Sequence, residues 1–129
     1  MPRDLILFVC EHGAAKSILA AAHFNKMAAE RGLKVHAVAR GTDPDQELSP
    51  KTVEGLERDG LHPTETMPQK LTPAEVESAQ RIISFCELPA GYPYQVPMEQ
   101  WNDIPPVSEN YETARDAIIR RINPLLDSK

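Results

Sequence analysis

The sequence predicts a single α/β domain over residues 1–129, with a parallel sheet covered by helices on both faces. Three observations favour this fold. The chain length of 129 residues and the 41% hydrophobic content suit one domain with a sizeable core. Apolar runs typical of strands alternate with runs of helical periodicity. Alternating strands and helices are typical of parallel sheets, in which each helix carries the chain back to the start of the next strand.

The first elements are predicted from hydrophobic patterning. Residues 4–10 are a short apolar run, which is typical of a buried strand. Apolar side chains then recur among alanines over residues 16–31, which predicts a helix, and Gly32 ends it as a C-cap. Residues 33–39 predict a second strand, and the glycine, aspartates and proline of residues 41–45 predict a loop.

Capping residues predict the next two helices. Ser49 precedes a proline, as at many helix N-termini, and Gly60 ends this helix. Thr72 and Glu75 have the spacing of a capping box, which opens a short helix to about Gln80.

Two further strands and one helix complete the predicted order. Residues 81–86 read as a third strand, whereas residues 87–108 are rich in proline and have little periodicity. A short fourth strand is expected at residues 94–96 or 98–100. The final helix is predicted from an apolar stripe formed by Tyr111, Ala114, Ile118, Ile122 and Leu125.

Composition disfavours several classes of partner and location. The net charge is −5 and no Lys/Arg cluster is present, which argues against nucleic acids and anionic membranes as partners. We expect no membrane span, no signal peptide and a cytoplasmic location. The two cysteines are then expected to be catalytic, redox-active or buried rather than joined in a structural disulfide. His23, His36 and His62 share no metal-ligand spacing, so neither a metal nor a cofactor is predicted.

The stretch from Cys10 to Ser17 carries the strongest functional signal. A strand that leads through a short loop into a helix presents backbone N–H groups and the positive end of the helix dipole to an anion. We call residues 11–16 the anion loop. Its small residues let the backbone approach a tetrahedral oxyanion closely; the members of the loop are Glu11, His12, Gly13, Ala14, Ala15 and Lys16.

Cys10 precedes the anion loop and is the candidate nucleophile. The positive potential of the helix N-terminus favours the thiolate form, and the Ser17 hydroxyl can donate a hydrogen bond to the sulfur. A protonated His12 would favour the thiolate further, whereas Glu11 would oppose it, unless both side chains point outward. The alternative interpretation is a buried cysteine that ends a strand before an ordinary helix.

Cysteine, five residues, a basic residue and serine after the first strand resemble the phosphate loop of the low-molecular-weight protein tyrosine phosphatases and the related thioredoxin-coupled arsenate reductases. The resemblance extends to the Gly41-Thr42 turn, the Gln69–Thr72 segment and the third strand, and weakens after residue 87. It implies a three-layer, doubly wound fold with a four-stranded parallel sheet.

Lys16 departs from the pattern of this superfamily, which has arginine there. Lysine is a point charge and lacks the planar fork that binds two oxygens at once. Three interpretations stay open. The enzyme is slow or adapted to another oxyanion, the loop binds anions without turning them over, or Lys16 points to solvent.

Cys86 is the candidate redox partner of Cys10. In the order expected for this fold, strands one and three are neighbours, so both cysteines would lie at the same end of adjacent strands. The arsenate reductases have a cysteine at the matching place, and they use a third cysteine that this chain lacks. The alternative is that Cys86 is a small buried hydrophobic residue.

Asp103 is the candidate general acid and base. The superfamily supplies this group from an aspartate directly followed by proline in a late loop, whereas here Ile104 stands between Asp103 and the proline. Asp43 and Asp45 are weaker alternatives. Three aromatic residues in the same half of the chain are candidates for a wall against an aromatic substrate: Tyr92, Tyr94 and Trp101.

These residues predict cysteine-dependent oxyanion chemistry. The favoured reaction is hydrolysis of a phosphomonoester, on a protein or a small molecule, through a thiophosphate on Cys10. The first alternative is arsenate reduction by Cys10 with Cys86 or an external thiol such as thioredoxin. The second is an anion-binding module without activity.

Overall fold

The computed structural model describes residues 4–127, so residues 1–3 and 128–129 of the predicted domain lie outside the described part. Four strands and four helices follow one another in the predicted alternation. Their bounds are β1 Leu5–Cys10, α1 Lys16–Glu30, β2 His36–Gly41, α2 Pro50–Arg58, α3 Pro73–Ser78, β3 Arg81–Ser84, β4 Met98–Gln100 and α4 Tyr111–Asp127. None of the helices in this part of the chain is long and apolar enough to cross a membrane.

The four strands form one parallel sheet in the order β2-β1-β3-β4. β1 lies in the centre, where Cys10 is paired with Gly41 of β2 and Val9 with Ser84 of β3. The expected neighbourhood of the first and third strands is therefore confirmed. The carboxyl ends of β1, β2 and β3 meet at one edge of the sheet, which is where parallel α/β folds place their binding sites.

Successive residues of β1 face opposite sides of the sheet and build two cores. Ile6 and Phe8 pack with apolar residues of α1, α2 and α4 on one face. Leu7 and Val9 pack with Val76 of α3 on the other face. This burial on both sides explains why β1 is a continuous apolar run rather than an alternating one.

Several element boundaries differ from the sequence-based expectation, and one of them is the end of α3, which lies at Ser78 rather than at about Gln80. β2 begins at His36 rather than at Leu33, because the Leu33 N–H donates to the Ala28 carbonyl (2.9 Å) and the glycine at 32 has a φ of +70°. The segment after α1 is thus still part of the helix C-cap. β3 ends at Ser84 rather than at Cys86.

Candidate active site

The anion loop connects the end of β1 to the start of α1 and is held against the end of β2. Gly13 has a φ of +62°, and a Cβ built there would lie 2.9 Å from the Gly41 nitrogen. A Cβ on Gly41 would in turn lie 2.8 Å from the Gly13 nitrogen. Two glycines are needed at this contact because the two backbones touch, and Gly13 also needs the left-handed conformation.

The carbonyl groups of this turn are bound by residues 42–49, the β2–α2 loop. Four backbone N–H groups of the β2–α2 loop donate to four carbonyls at and after Cys10, in the pairs Thr42 to Cys10 (3.2 Å), Asp43 to Glu11 (2.7 Å), Asp45 to His12 (3.0 Å) and Ser49 to Ala14 (2.9 Å). Within residues 4–127, no backbone carbonyl accepts from the N–H groups of residues 11–15. The loop therefore offers a row of free donors, which is the property an oxyanion requires.

The N-terminus of α1 is also open. Its N-cap residue is Ala15, whose side chain makes no capping hydrogen bond. The 15-residue helix therefore directs its first N–H groups and the positive end of its dipole towards the same point as the anion loop.

Cys10 and Ser17 are in direct contact. The Cys10 Sγ lies 2.9 Å from the Ser17 Oγ, and the Ser17 side chain is fully buried. The hydroxyl is therefore placed to donate to a thiolate, and it has no competition from water. Cys10 itself is 8% exposed and opens into the cavity described next.

A cavity of about 610 Å³ lies over Cys10. The anion loop forms one side of it, with every residue except Gly13 contributing to the wall. The β2–α2 loop, the end of β3 and the segment before α4 form the other sides; their lining residues are Asp45, Gln46, Glu47, Leu48, Ser49, Pro50, Phe85, Cys86, Pro106, Val107 and Ser108.

Lys16 lines this cavity as the first residue of α1. Its side chain is half-buried, and it takes part in none of the ion pairs between residues 4 and 127. An ammonium group at this position can attract an oxyanion directly, because no ion pair with a carboxylate has to break first.

His12 bridges the anion loop and the β2–α2 loop. Its Nδ1 lies 3.3 Å from the Asp43 carbonyl oxygen and 3.3 Å from the Asp45 carboxylate, and its Nε2 lies 3.6 Å from the Glu11 carboxylate. The imidazole is 52% exposed and borders the cavity. Glu11 and His12 thus present their side chains to the mouth of the cavity rather than to its floor.

Asp103 is not brought to the cavity. Its carboxylate lies 2.6 Å from the Arg121 guanidinium of α4, and this hydrogen bond lowers the pKa of Asp103. The residue directly before the proline, Ile104, is buried in the core. Asp103 does not border the cavity in this structure, where the bordering aspartate is Asp45, and the role of Asp103 as general acid and base stays a prediction.

The expected aromatic wall is also placed differently. Trp101 is buried and packs on Phe8 and Phe85, with ring centroids 5.7 and 5.8 Å apart. Tyr92 and Tyr94 stack on each other beside the core on the α3 face. Of these aromatic rings, only that of Phe85 reaches the cavity.

Cys86 borders the same cavity as Cys10 and is half-buried. Burial raises the pKa of the Cys86 thiol above its ordinary value, although a hydrogen bond with the Thr42 side chain acts in the opposite direction. Both cysteines are free thiols in this structure.

The wall formed by residues 46–50 and 106–108 was not predicted from the sequence. The glycine pair at 13 and 41 is a signal for the contact between the anion loop and the end of β2. No comparable signal marks the second wall, because it depends on how the proline-rich segment packs.

The chain belongs to the low molecular weight phosphotyrosine protein phosphatase family, because the model of that family matches residues 5–102. Solved structures agree with this assignment. YfkJ from Bacillus subtilis is 21% identical, with a TM-score of 0.85 and 99% of this chain and 95% of that chain covered.

Two further solved structures share this fold. The arsenate reductase from Archaeoglobus fulgidus is 23% identical, with a TM-score of 0.75 and coverage of 95% of this chain and 98% of that chain. The low molecular weight protein tyrosine phosphatase from T. tengcongensis is 18% identical, with a TM-score of 0.77 and 95% of each chain covered. At these identities, the likeness shows a shared three-layer α/β fold with a four-stranded parallel sheet.

The two thiols should react at different rates. At pH 7 we expect iodoacetamide to alkylate Cys10 in a Cys86→Ser protein faster than it alkylates Cys86 in a Cys10→Ser protein. Adding Ser17→Ala should slow the reaction of Cys10 about 10-fold, since a hydrogen bond to a charged group contributes about 1.5–3 kcal/mol. A faster reaction at Cys86 would contradict the assignment of Cys10 as the nucleophile.

Proposed function

We propose that this protein hydrolyses phosphomonoesters through a thiophosphate intermediate on Cys10. The observation that carries the proposal is the position of the Cys10 sulfur, 2.9 Å from a buried hydroxyl and at the base of a loop whose carbonyls are bound elsewhere. The N–H groups that would bind the anion and the hydroxyl that would stabilise the thiolate therefore lie around the same sulfur atom.

The reaction proceeds in two displacements. The Cys10 thiolate attacks phosphorus, the bond from phosphorus to the ester oxygen breaks, and the leaving oxygen takes a proton. Water then attacks phosphorus, the S–P bond breaks, and phosphate leaves with return of the thiolate. The N–H groups of the anion loop bind the non-bridging oxygens in both steps, where negative charge is highest.

The substrate we propose is an aryl phosphate such as a phosphotyrosine-like group, on a protein or a small molecule. Leu48, Phe85 and Val107 line the cavity and offer apolar contact to a ring, whereas the anion loop takes the phosphate. A nucleophilic thiolate needs a reducing compartment, so we propose a cytoplasmic location.

Arsenate reduction is the second candidate, because Cys86 borders the same cavity as Cys10. Cys10 would displace an oxygen of arsenate, and the Cys86 sulfur would then attack the Cys10 sulfur. Formation of the disulfide breaks the S–As bond and leaves its two electrons on arsenic, which departs as arsenite. An external dithiol of the thioredoxin class would reduce the disulfide.

A single set of assays separates these proposals. The purified protein is incubated with p-nitrophenyl phosphate, and separately with arsenate and a dithiol reductant. Hydrolysis that persists in Cys86→Ser supports the phosphatase. Arsenite formation that Cys86→Ser abolishes supports the reductase. If neither reaction occurs and phosphate still raises the melting temperature, the protein is an anion-binding module.

Substitution of Lys16 tests whether this side chain acts on the oxyanion. Lys16→Arg should raise turnover about 10-fold, because a bidentate contact adds a transition-state hydrogen bond of about 1.4 kcal/mol. Lys16→Ala should weaken phosphate binding by about 10-fold, which corresponds to about 1.4 kcal/mol. The measurements are p-nitrophenyl phosphate turnover and phosphate inhibition. Unchanged values in both variants would place Lys16 outside the reaction.

A further inference from the structure

The proposed hydrolysis needs a proton donor for the leaving oxygen. Asp103, the donor expected from the sequence, does not border the cavity in this structure. Asp103 is paired with Arg121, and neither Asp103 nor Ile104 borders the cavity. The residues of this segment that do border it are Pro106, Val107 and Ser108. The other walls of the cavity offer a candidate donor in His12.

His12 borders the same cavity as Cys10, and the β2–α2 loop contacts its Nδ1. The Asp43 carbonyl can only accept a hydrogen bond, so Nδ1 carries the hydrogen in this contact. The Asp45 carboxylate, also 3.3 Å from Nδ1, holds the ring from the same side. Nε2 lies 3.6 Å from Glu11, which is too long for a hydrogen bond, so this nitrogen can exchange a proton with a group in the cavity.

We propose that His12, positioned by Asp45, is the general acid and base of this site. This inference rests on the proposed function. Nε2–H donates its proton to the leaving oxygen when the bond from phosphorus to oxygen breaks. The neutral Nε2 then takes a proton from the attacking water, and the imidazolium is restored when the S–P bond breaks. Imidazole suits both steps because its charge ordinarily changes between pH 5 and 8.

The charged groups around the imidazole support a cycle between its two forms. The carboxylates of Asp45 from the β2–α2 loop and Glu11 from the anion loop lie 3.3 Å from Nδ1 and 3.6 Å from Nε2, respectively. Lys16 and the oxyanion bring opposite charges to the same cavity, and Glu47 and the thiols of Cys10 and Cys86 are its other titratable groups. The position of Asp45 makes it a positioning residue, because its carboxylate is directed at Nδ1 and not at the reacting atoms.

The test uses His12→Asn, because the asparagine amide can still donate to the Asp43 carbonyl while the titrating nitrogen is lost. In this variant, turnover of an alkyl phosphate should fall about 10²-fold or more, the usual range for loss of a general acid. Turnover of p-nitrophenyl phosphate should fall less, since its leaving group needs little protonation. Phosphate inhibition should stay unchanged. His36→Asn, on an exposed strand position outside the cavity, is the matched control.

Asp45→Asn should lower turnover of the alkyl phosphate more than turnover of p-nitrophenyl phosphate, as His12→Asn does, because it removes the carboxylate 3.3 Å from Nδ1 that positions the imidazole. A merely structural contact would lower turnover at every pH and with every leaving group equally, and that result would overturn the inference. Turnover that falls in Asp103→Asn and not in His12→Asn would also overturn it. If the wild-type protein hydrolyses neither ester, the proposed function fails and the role of His12 fails with it.

Discussion

Gly13→Ala should abolish phosphate binding and lower the free energy of unfolding by about 2–5 kcal/mol, the sum of left-handed strain and overpacking. The added Cβ would lie 2.9 Å from the Gly41 backbone nitrogen, and the sheet and the β2–α2 loop hold the backbone of both residues in place. Relief of this contact requires the anion loop to move away from β2, which disrupts its row of N–H groups.

Gly32→Ala is the matched control for this substitution. Gly32 has a φ of +70°, close to the +62° of Gly13, but a Cβ built there meets no atom within 4 Å. It should therefore cost only the conformational strain, about 1–2 kcal/mol, and leave phosphate binding intact. Urea denaturation and phosphate titration of both variants provide the comparison. Equal losses of unfolding free energy and of phosphate binding in the two proteins would show that contact with Gly41 is unimportant.

Cys10→Ser should lower phosphatase turnover by about 10⁴-fold or more, the scale seen when a covalent nucleophile is removed. A serine hydroxyl at the end of β1 would stay protonated, because the only side-chain hydrogen-bond partner of this position within residues 4–127 is the Ser17 hydroxyl, which is not a base. Phosphate binding should remain close to that of the wild-type protein, because the backbone N–H groups and Lys16 are unchanged.

The two measurements on Cys10→Ser have to be made together. Turnover is followed with p-nitrophenyl phosphate, and binding is followed by the phosphate-dependent rise in melting temperature. Activity that survives this substitution would show that the sulfur is not the nucleophile. Loss of binding without a loss of stability would show that the thiolate, rather than the anion loop, organises the site.

Local signals in the sequence were sufficient for most of the fold. β1 is recognisable because burial on both faces requires an apolar run, and α3 because Thr72 and Glu75 form the expected capping box. These features involve residues that are close in the chain. The start of β2 was predicted too early, because the hydrogen bond from Leu33 to Ala28 that extends the cap of α1 leaves no mark in the hydrophobic pattern.

In the candidate site too, features made of consecutive residues could be predicted, whereas features that depend on distant residues could not. The anion loop could be recognised because its strand–loop–helix pattern consists of consecutive residues from Cys10 to Ser17. The position of Asp103 could not be predicted in this way. It depends on an ion pair with Arg121 of α4, which lies eighteen residues later in the chain. The contact between His12 and Asp45 similarly requires the β2–α2 loop to bind the carbonyls of the anion loop.

The covalent intermediate on Cys10 tests the central claim most directly. The protein is mixed with p-nitrophenyl phosphate, denatured within the first turnover, digested and analysed by mass spectrometry, with Cys86→Ser treated in parallel. We expect a phosphoryl group on Cys10 in both proteins and a burst of p-nitrophenol that approaches one equivalent of enzyme. Steady hydrolysis with no phosphoryl group on Cys10, or with the group on another residue, would contradict the account.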